Sequence, residues 1–464
     1  MSLHTLRPHP ATPATRGRVL ALALLALAQF IMALDYNIVY VALPQIGDHL
    51  GFSAQTLQWV ASAYTVVFGG FLLFGGRLSD LLGRRRMFVA GLLLYGVSSL
   101  VGGLASTPGI LVAARAVQGL GGAVLFPATF SLVTTMFAEG PERNRAMSVW
   151  AGAGAAGMVS GSLLGGLLTD AFGWPAVFVV NVPLAVVAAA AAVRLLPTDA
   201  RFIRGRRFDL PGALTATAGI TSVVSGLVQG PETGWNSPIV MTSLVAGTAL
   251  LILFAAIEYR SADPLMPIRL LTSRNLGTGV ATTFLFAATF ATLLYFLTIY
   301  FQGVLGFSAL STGAAFIIPT TGVLIGSAVG GRLATAIGTR RTLFVGLPLG
   351  AAGTILLGLL MSPGRSLVAL APALVLLGIG QGITYTTMYA AASTGVAIHQ
   401  HGVAAGMAST GQQVGSAVGL ALLVALANST GNGLRPAMFA AAGGIALMVI
   451  VAANFRFTNS PDRV

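Results

Sequence analysis

An aspartate and an arginine stand where an apolar chain has no structural need of charge. Asp35 lies in the apolar run 19–43 and Arg115 in the run 110–135. A charge at the centre of a hydrocarbon layer costs about 2.5–3.5 kcal/mol on insertion scales, and groups kept at that cost usually mark an ion or substrate path. At a helical rise of 1.5 Å per residue, Asp35 is roughly 12 Å from the end of its run at Leu43, and Arg115 roughly 8 Å from the start of its own at Ile110. The two are level to within about one turn and can meet. Such a pair can handle a proton: burial favours the neutral acid, a guanidinium favours the carboxylate, and a change in hydration or distance tips the balance. A permanent structural ion pair is the competing reading.

The rest of the composition says what holds this pair. Of 464 residues, 55% are hydrophobic and 8% charged, against about 25% charged in soluble domains. A soluble enzyme and a disordered chain are excluded. The net charge of +13 would fit nucleic acid if spread over one face, but the charges sit in short clusters between apolar runs, so no nucleic-acid partner is expected. Every one of the 25 basic residues is arginine, and cysteine is absent, which removes disulfides and thiolate metal sites. No nucleophile elbow, phosphate-binding loop or metal-ligand cluster is present, so neither enzymatic activity, a cofactor nor a metal is expected. Work done by such a chain draws on an ion gradient, with protons and sodium both open.

A membrane-crossing helix needs about 20 mostly apolar residues. Breaks in the hydropathy give fourteen candidates: 19–43, 57–76, 87–105, 110–135, 146–169, 176–196, 210–229, 238–258, 277–301, 311–331, 342–361, 367–392, 402–427 and 436–455. The first, at 25 residues, is too long for a signal-peptide core and is read as uncleaved. Twenty-two arginines fall in one set of alternate loops and termini, and only Arg365 and Arg435 in the other. The positive-inside rule then places both termini in the cytoplasm. On that topology Asp48, Asp170 and Glu232 are expected in outer loops, Glu258 at the inner end of its span, and the other acids apart from Asp35 on the cytoplasmic side.

The chain also repeats itself. Seven of the twelve residues from Gly75 to Arg86 recur between Gly330 and Arg341, at an offset of 255. Two related six-helix bundles explain this, and internal repeats of this kind belong to transporters that rock one half against the other. The expected divisions are a tail 1–18, a bundle 19–197, linkers and an extra helix pair within 198–274 (210–229 and 238–258), a second bundle 275–456 and a tail 457–464. A non-transporting membrane sensor would not need the repeat.

Several motifs point to one family. Gly76-Arg77-Leu78-Ser79-Asp80-Leu81-Leu82-Gly83-Arg84-Arg85-Arg86 resembles the loop 2–3 signature of the major facilitator superfamily. Leu34-Asp35-Tyr36-Asn37-Ile38-Val39-Tyr40-Val41-Ala42-Leu43-Pro44 is similar to the first-helix motif of its fourteen-helix drug:proton antiporter branch, and Arg115-Ala116-Val117-Gln118-Gly119 to the fourth-helix motif. The run from Gly157 to Gly166 resembles the fifth-helix antiporter signature, with Ser162 where the family usually has proline. The resemblance covers nearly the whole chain. It implies an all-α integral membrane protein of the major facilitator fold, two six-helix bundles plus two extra central helices, in a bacterial inner membrane.

The resemblance also implies a function and site residues. The chain would export lipophilic or monocationic drugs or natural products in exchange for protons, with Asp35 and Arg115 coupling the two. Export of one endogenous metabolite, lipid or siderophore is the alternative. Gly76, Asp80, Gly83 and Arg84 would form a cytoplasmic gate, with Asp80 bonding to the neighbouring bundle and Arg84 to Arg86 also enforcing topology. Gly157, Gly161, Gly165 and Gly166 would pack helix 5 closely and let it flex. Polar and aromatic residues within spans are weaker candidates for substrate contact: Gln29, Phe30, Asn37, Phe126, Tyr295, Tyr300, Tyr385, Tyr389, Gln412 and Gln413. The expected partners are a small molecule, protons and the lipid bilayer, and the chain is expected to be monomeric.

Overall fold

The computed structural model describes residues 13–137, 141–198, 210–261, 264, 273–393, 401–429 and 434–455. Residues 1–12 and 457–464 of the expected tails, and most of the linkers on either side of the extra helix pair, lie outside them, whereas residues 13–18, expected in the first tail, belong to the first helix. Within them the chain is helical. In hydrocarbon no water satisfies a backbone N–H or C=O, and a helix bonds all of its own. The long helices are α1 (Pro13–Leu50), α2 (Trp59–Leu82), α3 (Arg84–Gly103), α4 (Pro108–Met136), α5 (Pro141–Phe172), α6 (Asn181–Leu195) and α7 (Leu210–Thr233). They continue as α8 (Pro238–Arg260), α9 (Arg274–Val304), α10 (Ala309–Ile337), α11 (Thr339–Leu360), α12 (Leu367–Ser393), α13 (His401–Ser429) and α14 (Arg435–Ala452). Among the described residues thirteen helical stretches are long and apolar enough to cross a membrane, one of them the stretch Ala176–Leu195 that ends in α6, and Thr56–Leu72 is a shorter apolar stretch.

Three expectations shift. α1 runs on through Pro44 to Leu50, because Ile46 is fully buried and Gly47 packs on Leu57. Asp48 therefore sits on the helix end instead of in a loop. Asp170 and Glu232 likewise fall within the last turns of α5 and α7. The sixth span is broken: a short helix Ala176–Val179 precedes α6, since Pro183 has no N–H for the carbonyl of Val179. In α9, one π-helical segment, Ala287–Ala291, interrupts the α-helix and a second, Tyr300–Val304, ends it.

The repeat read from the arginine motif extends to the packing. α1 packs on α5 and α6, α2 on α4, and α3 on α4 and α6; eight helices on, α9 packs on α13 and α14, α10 on α12, and α11 on α12 and α14. Gly83 (φ 104°) and Gly338 (φ 85°), the same place in the two motif copies, turn the chain between α2 and α3 and between α10 and α11. That left-handed backbone region is cheap only for glycine.

Close approach depends on glycine at fixed spacing. A Cβ on Gly157, Gly161 or Gly165 would lie 2.5, 2.6 or 2.8 Å from the backbone oxygens of Phe30, Leu34 and Ile38, so three glycines one turn apart seat α5 on α1. Gly166 faces elsewhere, 2.6 Å from the oxygen of Ala309 on α10. The extra pair is not peripheral. α8 packs on α7, and α7 fills the seam between α2 and α13 through Val66, Ile220, Val224, Val228, Ala417 and Ala421.

Replacing glycine by alanine inside a helix gains about 1 kcal/mol of helix propensity, whereas overpacking costs about 1–3 kcal/mol. Gly161→Val is expected to lower the thermal unfolding midpoint of the detergent-purified protein. Gly152→Ala, where the added methyl meets nothing within 4 Å, is expected to leave it unchanged or raise it. Equal midpoints for the two would remove the glycine face as a packing constraint.

Candidate functional site

Asp35 is fully buried on α1, and Arg115 is 2% exposed on α4. Arg115 Nη1 donates to Asp35 Oδ2 at 2.7 Å. The other carboxylate oxygen, Oδ1, accepts from Gln118 Nε2 at 2.9 Å and from Asn181 Nδ2 at 2.8 Å. Arg115 also donates through Nε to the carbonyl of Val60 at 2.9 Å and through Nη1 to Gln118 Oε1 at 2.6 Å. Ser99 closes the network: its Oγ accepts from Gln118 at 3.3 Å and Asn181 at 3.1 Å and donates to the carbonyl of Phe178 at 2.9 Å.

Each helix delivers its share for a local reason. Gln118 is three residues after Arg115 and so lies on the same face of α4. Asn181 opens α6, where the break before Pro183 brings its amide to the carboxylate. The guanidinium stacks on Tyr64, 4.6 Å to the ring centre, with Phe178 at 5.8 Å. Tyr64 in turn stacks on Phe68 and meets Tyr95 edge-on. A planar guanidinium suits both tasks, donating in fixed directions to Asp35, Gln118 and the carbonyl of Val60 while lying flat on an aromatic ring. Because burying a charge is tolerated only when it is paired and hydrogen-bonded, the three donors on Asp35 are a condition of the fold.

Asp35 and Arg115 meet, as their depths along the two runs predict, and Gln118, Asn181 and Ser99 join them without a role foreseen from the sequence. Their signal was present: a side-chain amide in an apolar span needs a partner as a charge does.

The other named residues are dispersed. Gly83 is the turn described above. In the gate motif the tight contact belongs to Gly75, whose Cβ would lie 2.0 Å from the oxygen of Ala123, while Gly76 has 3.6 Å to Pro127. The side chain of Asp80 lies outside the described residues, and Arg84 opens α3. Arg85, read with its neighbours as a topology marker, donates to the carbonyls of Val193 and Leu196 at the C-terminal end of α6, where a cation complements the helix dipole.

Among the weaker substrate candidates, Asn37 is held on α5 by the carbonyl of Met158 at 2.9 Å. Tyr295 is buried against Phe296, and the hydroxyl of Tyr300 donates to the carbonyl of Ser362, so all three have structural work. Phe126 packs between Phe68 and Trp150. Half-buried Phe30, Tyr385 and Gln412 lie on α1, α12 and α13, Gln413 packs on Gly69, and the side chain of Tyr389 lies outside the described residues. Contacts between the two halves include Tyr36 and Ser416 (3.4 Å), Gln302 and the carbonyl of Val41 (2.8 Å), and Gly313, whose Cβ would lie 2.5 Å from the oxygen of Ser162.

Comparison with known proteins gives the family and the fold. The family model described as Major Facilitator Superfamily matches residues 25–420 and again 281–464. The cephamycin export protein of Amycolatopsis lactamdurans is 38% identical over 442 residues, covering 95% of this chain and 91% of that protein. The puromycin resistance protein of Streptomyces alboniger is 40% identical over 407 residues, covering 87% and 80%. Among solved structures, the POT family transporter PepTSo superposes with a TM-score of 0.70 at 17% identity, covering 96% of this chain and 98% of that one, a likeness of fold. The chain belongs to the major facilitator superfamily: it is a multi-pass membrane transporter, not an enzyme.

A hydrogen bond to a charged group is worth about 1.5–3 kcal/mol. Asn181→Ala is expected to destabilise the protein by that order, measured by denaturant unfolding in micelles. Gln118 and Asn181 share Oδ1 as acceptor, so the double alanine variant is expected to lose more than the sum of the single losses. Additive losses would show that the two amides act independently.

Proposed function

We propose that this chain is a proton-driven exporter of lipophilic or monocationic drugs or natural products, working by alternating access. In this reading it crosses a bacterial inner membrane fourteen times with both termini in the cytoplasm. Residues 19–197 and 275–456 are the two moving bundles, and the pair within 198–274 bridges them. The observation that carries the reading is the sealed Asp35–Arg115–Gln118–Asn181 network in the first bundle of a superfamily transporter. The names of its relatives, which include cephamycin, puromycin, lincomycin and tetracenomycin resistance or export proteins, support antibiotics as the class of cargo.

Asp35 has no solvent contact in this conformation, so proton exchange requires the helices around it to part. The contacts described between the halves lie at mid-depth or beyond, toward the face where α1 ends and α2 begins. They support reading that face, the outer one here, as closed. When α5 shifts along its glycine seat on α1, the carbonyls of Phe30, Leu34 and Ile38 move with respect to it, and Asp35 lies between two of these steps. Opening there would hydrate the carboxyl and loosen Arg115, letting cargo and proton compete for the site.

The driving force limits the cargo. One proton supplies about 2.3 kcal/mol per 100 mV and about 1.4 kcal/mol per pH unit. A neutral compound exchanged one for one is then concentrated up to a few hundred-fold, while a monocation cancels the voltage and gains about tenfold per pH unit. A second reading, a dedicated exporter of one natural product, is favoured by relatives named for single antibiotics.

In proteoliposomes with an imposed pH gradient, wild type is expected to move dyes from a lipophilic panel. Asp35→Asn is expected to fall to the level of empty liposomes while remaining folded. Undiminished gradient-driven transport by that variant would overturn the proton role, and movement driven by sodium alone would replace the coupling ion.

A further inference from the structure

The two halves lie together along two seams, α5 against α10 and α2 against α13. Since α2 corresponds to α10 and α5 to α13 in the repeat, these are two copies of one arrangement. On α5 the seam carries Ser162, Gly166 and Thr169, spaced three or four apart and so on one face. Gly166 sets its backbone against Ala309, and Gly313 sits against the carbonyl of Ser162. On α2 the seam carries Ser62, Val66 and Gly69, with Val66 in one apolar cluster with Ala417 and Gly69 against Gln413. Thr410, three residues before Gln413, shares that face of α13.

Among the described residues, Ser62, Ser162, Thr169 and Thr410 are the serines and threonines whose hydroxyls are sealed from water and have no hydrogen-bond partner. All four lie in the seams. Inside the bundles these residue types behave otherwise. Thr129, Thr282, Thr354 and Thr387 each donate to the carbonyl one turn back, at 2.6 to 2.8 Å. For Ser162 that carbonyl, of Met158, already accepts from Asn37. An unpaired hydroxyl shut away from water raises the free energy of whichever state seals it. Ser62 is near the start of α2, and Ser162 and Thr169 are in the last three turns of α5, so parting of the outer face wets these three.

Gln302 acts in the opposite sense. Its Nε2 donates across the halves to the carbonyl of Val41 at 2.8 Å. It projects from the π-helical turn that ends α9, a turn anchored by the Tyr300 hydroxyl on the carbonyl of Ser362 at 2.9 Å. We propose that the seams are built to release: Ser62, Ser162 and Thr169 penalise the closed outer face that Gln302 holds. The closed and open arrangements are thereby kept near enough in free energy to interconvert. Such a balance presupposes the alternating access proposed above.

The chain has no cysteine, so Val424→Cys supplies a single thiol. Val424 is 2% exposed on α13, beside Pro44 and Leu57 of the first half, and a maleimide reaches it when the outer face parts. The labelling rate is measured on the full-length protein in micelles. In this parent, Ser162→Ala and Thr169→Val are each expected to slow labelling roughly tenfold, and Gln302→Leu to speed it a few-fold. Rates at or above the parent in both hydroxyl variants, or no acceleration in Gln302→Leu, would overturn the proposal and leave the export reading standing. A parent thiol that reacts in denaturant but never in the folded protein would overturn outer opening itself, and the proposal with it.

Discussion

A carboxyl group at Asp35, out of reach of water, has to find every hydrogen bond it needs from other helices. The need is met by Arg115 and Gln118 of α4 and by Asn181 at the head of α6, with Ser99 of α3 bonded to both amides and Val60 of α2 to the guanidinium. Five of the first six helices are thereby tied at one depth. A polar knot of this kind rigidifies what it joins, and its partial loss is expensive; here both carboxylate oxygens of Asp35 are bonded, and Asn181 Oδ1 is the network atom left without a partner. The first bundle is thus held by shape complementarity in its apolar layers and by a chemical requirement at its centre.

That requirement sets the spacing of the remaining helix. α5 gives no side chain to Asp35, yet its three glycines press on the α1 backbone at Phe30, Leu34 and Ile38, on both sides of the aspartate. Small residues let two backbones approach and slide. A rigid knot beside a smooth helix face is a workable basis for a moving half. On its other side α5 meets the second half at Gly166 and Ser162, so a shift of this helix is felt in both halves at once. The extra pair adds a second link, since α7 lies against α2 and α13 together.

Much of this was legible before folding. Long apolar runs with arginines between them gave nearly every helix, because hydrocarbon leaves the backbone no alternative to bonding itself. The copied motif gave the repeat, and Gly83 with Gly338 gave two turns that only glycine makes cheaply. Asp35 and Arg115 were conspicuous as charges in the wrong solvent. What was not legible has a physical reason. α1 passes Pro44 because of what Ile46 packs against, and α6 is broken because of a proline two positions into it. Residue type alone did not show that Asn37 and Tyr300 bond to the carbonyls of Met158 and Ser362, or that Tyr295 is buried, because those partners lie on other helices.

The amino-acid sequence by itself determined that the chain is a bundle of membrane-spanning helices in two related halves with one acid and one arginine at depth, since hydropathy and charge act over short stretches and can be counted along the chain. Only the tertiary structure decided which amides complete the Asp35 site, which glycines face α1 and which face α10, and where the extra pair sits. Those depend on the rotation and depth of each helix against its neighbours, which follow from packing among residues up to hundreds of positions apart.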